Sequence, residues 1–294
     1  MSVERLFLDA LAEQATEVPG SRSRLLAAAS ARRRPAPAGP AWAAPYAGRV
    51  AAMDALLASA ARWDEEIVEG WNLRELVAHL AAKDSLLAAA VGASVLGPPI
   101  GVDEALARTR ELQEYGQDRP VDETRRIWRE QADLLCARLA EVDPDRVVQP
   151  GGVPFAVRDH VLARMLETWI HTDDAAKVAG VRLPLPIATH VHPTADFCVR
   201  LVPWTMLLSG FEATTRSVRL TLTGSGGGDW YMPLDVAHVA GAYQGETTDV
   251  SLTCDVTAFC FLLGGRGDGF TWEVAGDQAL ATDLLTAAPA LSGP

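Results

Sequence analysis

Apolar residues recur at helical spacing over the first two thirds of the chain. Prolines such as Pro98, Pro99 and Pro120 fall between the periodic segments, where a helix must end. Asn72 stands three residues before Glu75, the spacing of a capping box that starts a helix. The pattern predicts helices over 46–62, 72–92, 103–115, 121–142, 155–179 and 188–208.

The hydrophobic period changes from that of a helix to that of a strand near residue 217. Val218, Leu220 and Leu222 alternate with polar residues, as in a strand with one buried face. Further strands are predicted in WYMPL, VSLTC and FTWEV, with a hairpin turn in GSGGGD. Asp255 and Asp277 are placed to cap two short helices, the first ending at the glycines after residue 263 and the second before the proline at 289.

These patterns predict an α+β multidomain protein. Residues 1–45 hold two short helical patterns and the proline-rich segment PAPAGPAWAAP, which we interpret as a helical appendage with a linker. Residues 46–210 form a helical bundle in this prediction. Residues 211–294 form a small α+β domain.

Composition and charge narrow the classes of partner and compartment. A net charge of -12 and a pI near 4.9 oppose tight nucleic-acid binding, which needs a concentrated basic surface. No segment has the apolar length of a membrane span, and acidic residues interrupt the N-terminus where a signal peptide is apolar. The four cysteines lie in apolar contexts without metal-binding or redox spacing. We therefore expect a cytoplasmic protein that binds neither nucleic acid nor membrane.

Five polar residues share one line along the segment 155–179. His160, Arg164, Glu167, His171 and Asp174 follow one another at offsets of 0, 4, 7, 11 and 14 residues. This is the spacing of a helix–helix seam, which is normally apolar, so the groups need either water or a shared site. Two interpretations follow: a solvated helix face, or a functional cluster.

Metal binding is the chemistry that this spacing favours. Glu167 and His171, at positions i and i+4, can direct a carboxylate oxygen and an imidazole nitrogen to one point. His79 is the best candidate for a third ligand because it lies at the edge of the apolar face of its helix, although a structural histidine fits the same spacing. Asp173 and Asp174 either orient His171 or are simply exposed.

Two segments carry a family resemblance. GWNLRELVAHLAAKD and RMLETWIHTDDA together resemble the metal-binding signature of the DinB-like superfamily, in its mycothiol-dependent maleylpyruvate isomerase branch. The resemblance implies a four-helix bundle on which His79, Glu167 and His171 bind a zinc-type cation. The tail DVTAFCFLLGGRGDGFTWEVAGDQALATDLL resembles the C-terminal domain of that branch, related to the sterol-carrier-protein fold, with Arg266 at its Gly-Arg pair. The likeness covers roughly residues 45 to 294.

The resemblance implies a metal-dependent and mycothiol-dependent transferase or isomerase that acts on a small electrophile. Three protein ligands leave a coordination position open, and a thiol bound there is held as the reactive thiolate. Arg266 is expected to anchor an anionic group at the domain interface, with an exposed loop arginine as the alternative. A non-enzymatic binding or regulatory module and a metal-activated hydrolase are the alternative functions, and the chain is expected to be a monomer or a homodimer.

Four other features favour structural interpretations. His190 and His192 mark the start of a helix in preference to a ligand pair. GSGGGD lacks the Lys-Ser/Thr of a phosphate loop. Cys260 falls inside an apolar helix, which favours burial over a catalytic thiol. Core positions are expected for Trp63, Trp71, Trp128 and Trp169.

Overall fold

The computed structural model describes residues 34–60, 62–68, 70–212 and 214–292. Residues Ala36–Pro294 form one unit, and the residues before Ala36 belong to another. The helical patterns predicted over residues 3 to 33 therefore lie outside the described residues. The division predicted between residues 210 and 211 stays a prediction.

Six helices occupy the first part of the described chain. They are α1 (Ala44–Leu57), α2 (Leu73–Val91), α3 (Ala105–Gly116), α4 (Val121–Leu139), α5 (Val157–Val178) and α6 (Ala188–Leu208). Helices α2 and α1 each pack against both α4 and α5, so these four surround a common core, and α3 lies along α2. Tyr46, Leu80, Trp128 and Met165 are fully buried in this core. The helical prediction is confirmed, with ends that differ by a few residues.

The capping box predicted at the start of α2 is formed. The Asn72 side chain accepts a hydrogen bond from the Glu75 backbone N–H at 3.0 Å. The Asn72 backbone N–H donates to Glu75 Oε2 at 2.9 Å. The two bonds satisfy two backbone donors that the first helical turn leaves open and fix where α2 begins. The start of α2 in turn sets which of its faces turns towards α5.

Two short hairpins precede helices α2 and α5, and neither was predicted. The first pairs β1 (Glu66–Val68) with β2 (Trp71–Asn72), and the second pairs β3 (Val147–Val148) with β4 (Phe155–Ala156). Strands of two or three residues are too short to show an alternating pattern. The prediction of one helix over 46–62 was also too long, since α1 ends at Leu57.

The C-terminal part is a five-stranded sheet with two helices. Its strands are β5 (Ser217–Thr223), β6 (Gly228–Pro233), β7 (Gly241–Ala242), β8 (Val250–Asp255) and β9 (Glu273–Gly276), in the order β7-β6-β5-β8-β9. Only the central pair β5 and β8 is parallel. Helices α7 (Val256–Leu263) and α8 (Gln278–Ala287) begin at the predicted caps Asp255 and Asp277. The α+β fold class is confirmed, although FTWEV enters the sheet only from Glu273 onwards.

Two glycines let the sheet region approach the helices closely. A Cβ atom on Gly226, in the predicted GSGGGD turn, would lie 2.6 Å from Val191 Cβ of α6. A Cβ atom on Gly264, just after α7, would lie 1.9 Å from Ile170 Cδ1 of α5. The second approach brings the end of α7, and with it Arg266, beside the polar face of α5.

Candidate metal centre

Three side chains from two helices converge where α2 packs against α5. His79 of α2 and Glu167 and His171 of α5 each place one possible ligand atom within 4.8 Å of the others. Among the described residues this is the one such cluster of histidines, cysteines and carboxylates. His79 Nε2 lies 2.6 Å from Glu167 Oε1, and the rings of His79 and His171 meet edge to face at 5.5 Å. Both histidines are buried, and the Glu167 side chain is 24% exposed.

The hydrogen bonds of His79 leave its Nε2 facing a carboxylate. His79 Nδ1 lies 3.1 Å from the hydroxyl of Thr109, and that hydroxyl donates to the Ala105 carbonyl at 2.9 Å. Because the hydroxyl proton goes to the Ala105 carbonyl, the hydroxyl accepts from His79 Nδ1–H, and Nε2 is the ring nitrogen that faces Glu167 Oε1. Burial lowers the pKa of His79, and Glu167 offsets this only in part. Two imidazole nitrogens and a carboxylate oxygen are ligands that a zinc-type cation accepts, and Thr109 holds the His79 ring by its other nitrogen, so the donor set fits a metal.

Arg164 holds the second oxygen of Glu167. Its Nη1 donates to Glu167 Oε2, and its Nε donates at 2.8 Å to Asp84 Oδ1 on α2. Burial by itself raises the pKa of Glu167, but Arg164, Lys83 and His79 outweigh it and hold that pKa well below its usual range. Glu167 is therefore ionised, with one oxygen paired to Arg164 and the other turned to His79.

A second chain of contacts joins His171 to the C-terminal part of the chain. His171 Nδ1 lies 3.4 Å from Asp174 Oδ2, and Arg266 donates from Nη2 to the same oxygen at 3.0 Å. Burial raises the pKa of Asp174, but His171 and Arg266 outweigh it and lower the pKa below its usual value. Asp174 is thus the acid beside His171, whereas Asp173 forms a surface ion pair with Lys177 at 2.8 Å. With 21% of its side chain exposed and a carboxylate partner, Arg266 is not an exposed loop arginine.

The polar line along α5 is a buried face of the helix. His160, Arg164, His171 and Asp174 are each no more than 8% exposed. His160, at the N-terminal end of this line, donates a hydrogen bond from Nε2 to the Val148 carbonyl at 3.1 Å. The interpretation of this line as a solvated face is therefore wrong.

A pocket of about 300 Å³ opens beside the three clustered residues. Glu167, His171, Arg164 and His160 form part of its wall, and Arg266 enters from the C-terminal part. Most of the remaining wall is apolar: Leu86, Leu87, Val153, Phe155, Ile170, Phe197, Leu201 and Leu263. The pocket can therefore hold a small organic molecule next to the candidate ligands.

Sequence reasoning gave Lys83 and Trp71 no place at the site. Lys83 follows His79 by one helical turn and lines the pocket, so its i+4 spacing was the available signal. Trp71, expected in the core, is half-buried and packs against the His79 ring at 4.9 Å. Its location depends on the unpredicted hairpin that ends at Asn72.

The residues given structural interpretations lie away from the three clustered residues. His190 and His192 lie in the first turns of α6, and His192 stacks on Trp230 with ring centroids 5.4 Å apart. Cys260 is fully buried, as predicted. Trp63, Trp128 and Trp169 are buried in the core as expected.

The segment that carries the cluster matches a known family. Residues 47–176 match the sequence model of the mycothiol maleylpyruvate isomerase N-terminal domain. This part of the chain belongs to that domain family. The matched segment of this mycothiol maleylpyruvate isomerase-type domain includes His79, Glu167 and His171, and it ends before the C-terminal part of the chain that contains Arg266.

Relatives resemble the chain over most of its length. Two uncharacterized proteins of Mycobacterium tuberculosis, from strains CDC 1551 and H37Rv, are each 26% identical to it over 256 residues, which span 82% of this chain and 91% of theirs. A crystal structure of a point mutant of the mycothiol-dependent maleylpyruvate isomerase shares the fold. It has a TM-score of 0.51 and 16% identity, and the match covers 79% of this chain and 91% of that one. Within the described residues, no helix combines the length and the apolar character needed to cross a membrane.

Proposed function

We propose that this protein is a metal- and mycothiol-dependent isomerase or transferase that acts on a small electrophile. His79, Glu167 and His171 hold a divalent cation, most simply zinc, which accepts two imidazoles and a carboxylate. The observation that carries the proposal is the convergence of these three side chains beside a pocket, within a segment of the mycothiol maleylpyruvate isomerase N-terminal domain family. In this proposal the helical domain spans residues 46–210 and the α+β domain spans 211–294.

The cation would leave a coordination position for a thiol and would hold its sulfur as thiolate near neutral pH. The side chains around the cation have different roles in this proposal. Arg164 keeps Glu167 ionised and turned towards His79, and Thr109 fixes the ring of His79. Arg266 adds positive charge to the pocket wall and acts there as an anion anchor, while Asp174 holds its guanidinium in place. The apolar wall excludes water from the reacting groups.

Metal analysis of the purified protein tests the ligand set. We expect close to one zinc per chain, and loss of that zinc in His79→Ala with the helical fold retained, because the helices have their own apolar core. His192→Ala is the matched control, since His192 lies on α6 against the hairpin turn. A protein that takes up no zinc, or His79→Ala with a full zinc content, would contradict the assignment.

Thiol dependence tests the reaction class. With zinc bound, we expect conversion of a small electrophile such as maleylpyruvate to require mycothiol, since the thiolate is the attacking group in this proposal. Turnover by the zinc-loaded protein without any thiol would indicate a metal-activated hydrolase instead. Binding of the thiol without turnover of any electrophile would indicate a binding or regulatory module.

A further inference from the structure

Lys83 is the basic side chain of the pocket that bonds no carboxylate directly, although its charge lowers the pKa of Glu167 and of Glu104. It lies on α2 one turn after His79, is half-buried, and lines the same pocket as Glu167 and Arg266. Within the described part of the chain, Lys83 makes no hydrogen bond or ion pair. An ammonium in a largely apolar wall is costly unless an anion or water compensates it.

The other two basic side chains of the pocket are already compensated. Arg164 pairs with Asp84 at 2.8 Å and with Glu167. Arg266 pairs with Asp174 at 3.0 Å. Both guanidinium groups already bond carboxylates of the protein and Lys83 bonds none, so Lys83 can accept an anion in addition to the group that Arg266 is proposed to anchor.

The charges around the pocket leave room for one more anion. Of the side chains that line the pocket, Lys83, Arg164 and Arg266 are basic and Glu167 is the one carboxylate, while Asp84 and Asp174 pair with the two arginines. A divalent cation adds two positive charges, and a bound thiolate removes one. The pocket wall is therefore net positive, and Lys83 is its basic side chain without a direct bond to a carboxylate of the described residues.

We propose that Lys83 recognises a carboxylate on the substrate, which is therefore a small electrophile with an anionic end and an apolar body. This inference rests on the proposed function, since the thiolate and cation enter the charge balance. Leu86, Phe155 and Phe197 supply apolar wall for the body of such a molecule. Lysine pairs with a carboxylate as a point charge and does not require the two-pronged geometry of arginine.

The chain contains two lysines, Lys83 and Lys177, which makes a direct test practical. Reductive methylation with ¹³C-formaldehyde labels both lysine side chains, together with the α-amino group, and keeps their charge. Variants at each position assign the two signals. In the zinc-loaded protein, we expect added hexanoate to shift the Lys83 signal and leave the Lys177 signal in place, because Lys177 is exposed and paired with Asp173 on the surface of α5. Hexanamide, of the same shape but neutral, should move neither signal.

Affinities of variants complete the test. We expect Lys83→Met to weaken hexanoate binding about tenfold, as the loss of one charge-assisted contact does. Lys83→Arg should keep the preference for hexanoate over hexanamide, and Lys177→Met should behave as the parent protein. Unchanged hexanoate affinity in Lys83→Met would place the carboxylate on the metal or elsewhere and overturn the proposal, as would equal shifts of both lysine signals. The zinc content of the same samples reports separately on the proposed function, and absence of zinc overturns that function. A Lys83 signal that hexanoate does not shift in zinc-loaded protein overturns the role of Lys83 alone.

Discussion

Replacing Arg164 with methionine isolates the ion pairs behind the candidate metal ligands. The side chain of Asp84 is fully buried and that of Arg164 is 6% exposed, so Arg164→Met leaves a buried carboxylate without its cation. Breaking a buried pair in this way costs about 3–5 kcal/mol. Glu167 is more exposed and contributes less to that loss. Since Glu167 also loses the contact that orients it, we expect zinc affinity to fall about 10- to 100-fold.

Urea unfolding of the metal-free protein measures the loss in free energy of unfolding. Competition for zinc against a chelator measures the fall in zinc affinity. Arg126→Met is the matched control, because Arg126 pairs with Glu130 on the exposed face of α4. A surface pair of this kind contributes about 0.3–0.5 kcal/mol. Adding Asp84→Asn to Arg164→Met should recover much of the stability, since the unpaired charge is then absent. A stability loss in Arg164→Met no larger than in the control would refute this account of the ion pairs.

The stability lost in Arg164→Met should depend on pH, in a direction that the pKa of Asp84 determines. Burial raises the pKa of Asp84 even with Arg164 in place, and removal of Arg164 raises it further. A folded-state pKa above the unfolded value gives stability that is complete below the unfolded pKa and is lost as the pH rises through the folded pKa. The stability gap between Arg164→Met and the parent should therefore be widest at neutral pH and narrow as the medium is acidified. A gap that is constant with pH would show that Asp84 does not carry the loss.

Three further changes test other contacts at the site. Thr109→Val removes the hydrogen bond to His79 Nδ1, and chelator competition should show zinc affinity reduced by about tenfold or more; unchanged affinity would mean that Thr109 does not orient the ring. Gly264→Ala places a methyl group against Ile170 at an ordinary φ of -85° and should lower the free energy of unfolding by about 1–3 kcal/mol, whereas Gly241→Ala, with open space around it and no positive φ, is the control without this overpacking. Arg266→Ala leaves Asp174 without its guanidinium, so we expect a lower melting temperature and weaker binding of mycothiol with zinc content retained; binding equal to that of the parent would remove Arg266 from the ligand site.

Local sequence determined most of the helices and strands and two of the three candidate ligands. Caps at Asn72, Asp255 and Asp277 and the alternation through β5 depend on residues within a turn or a strand, so the printed sequence contains them. The same holds for Glu167 and His171, whose i and i+4 spacing puts them on one face of any helix that forms there. Its position at the edge of the apolar face made His79 a candidate third ligand beside the structural alternative, whereas the family resemblance implied its role as a ligand and the place of Arg266.

The tertiary structure decided which of these groups meet. His79 is 88 residues from Glu167 in sequence, and only the packing of α2 against α5 puts their side chains in contact. The same packing pairs Arg164 with Asp84, which no local spacing indicates. It also leaves Lys83 in the pocket wall without a hydrogen bond or ion pair to a carboxylate of the described residues. Whether a charged side chain is compensated depends on every element around it, so this property belongs to the folded arrangement and not to the pattern of residues along one helix.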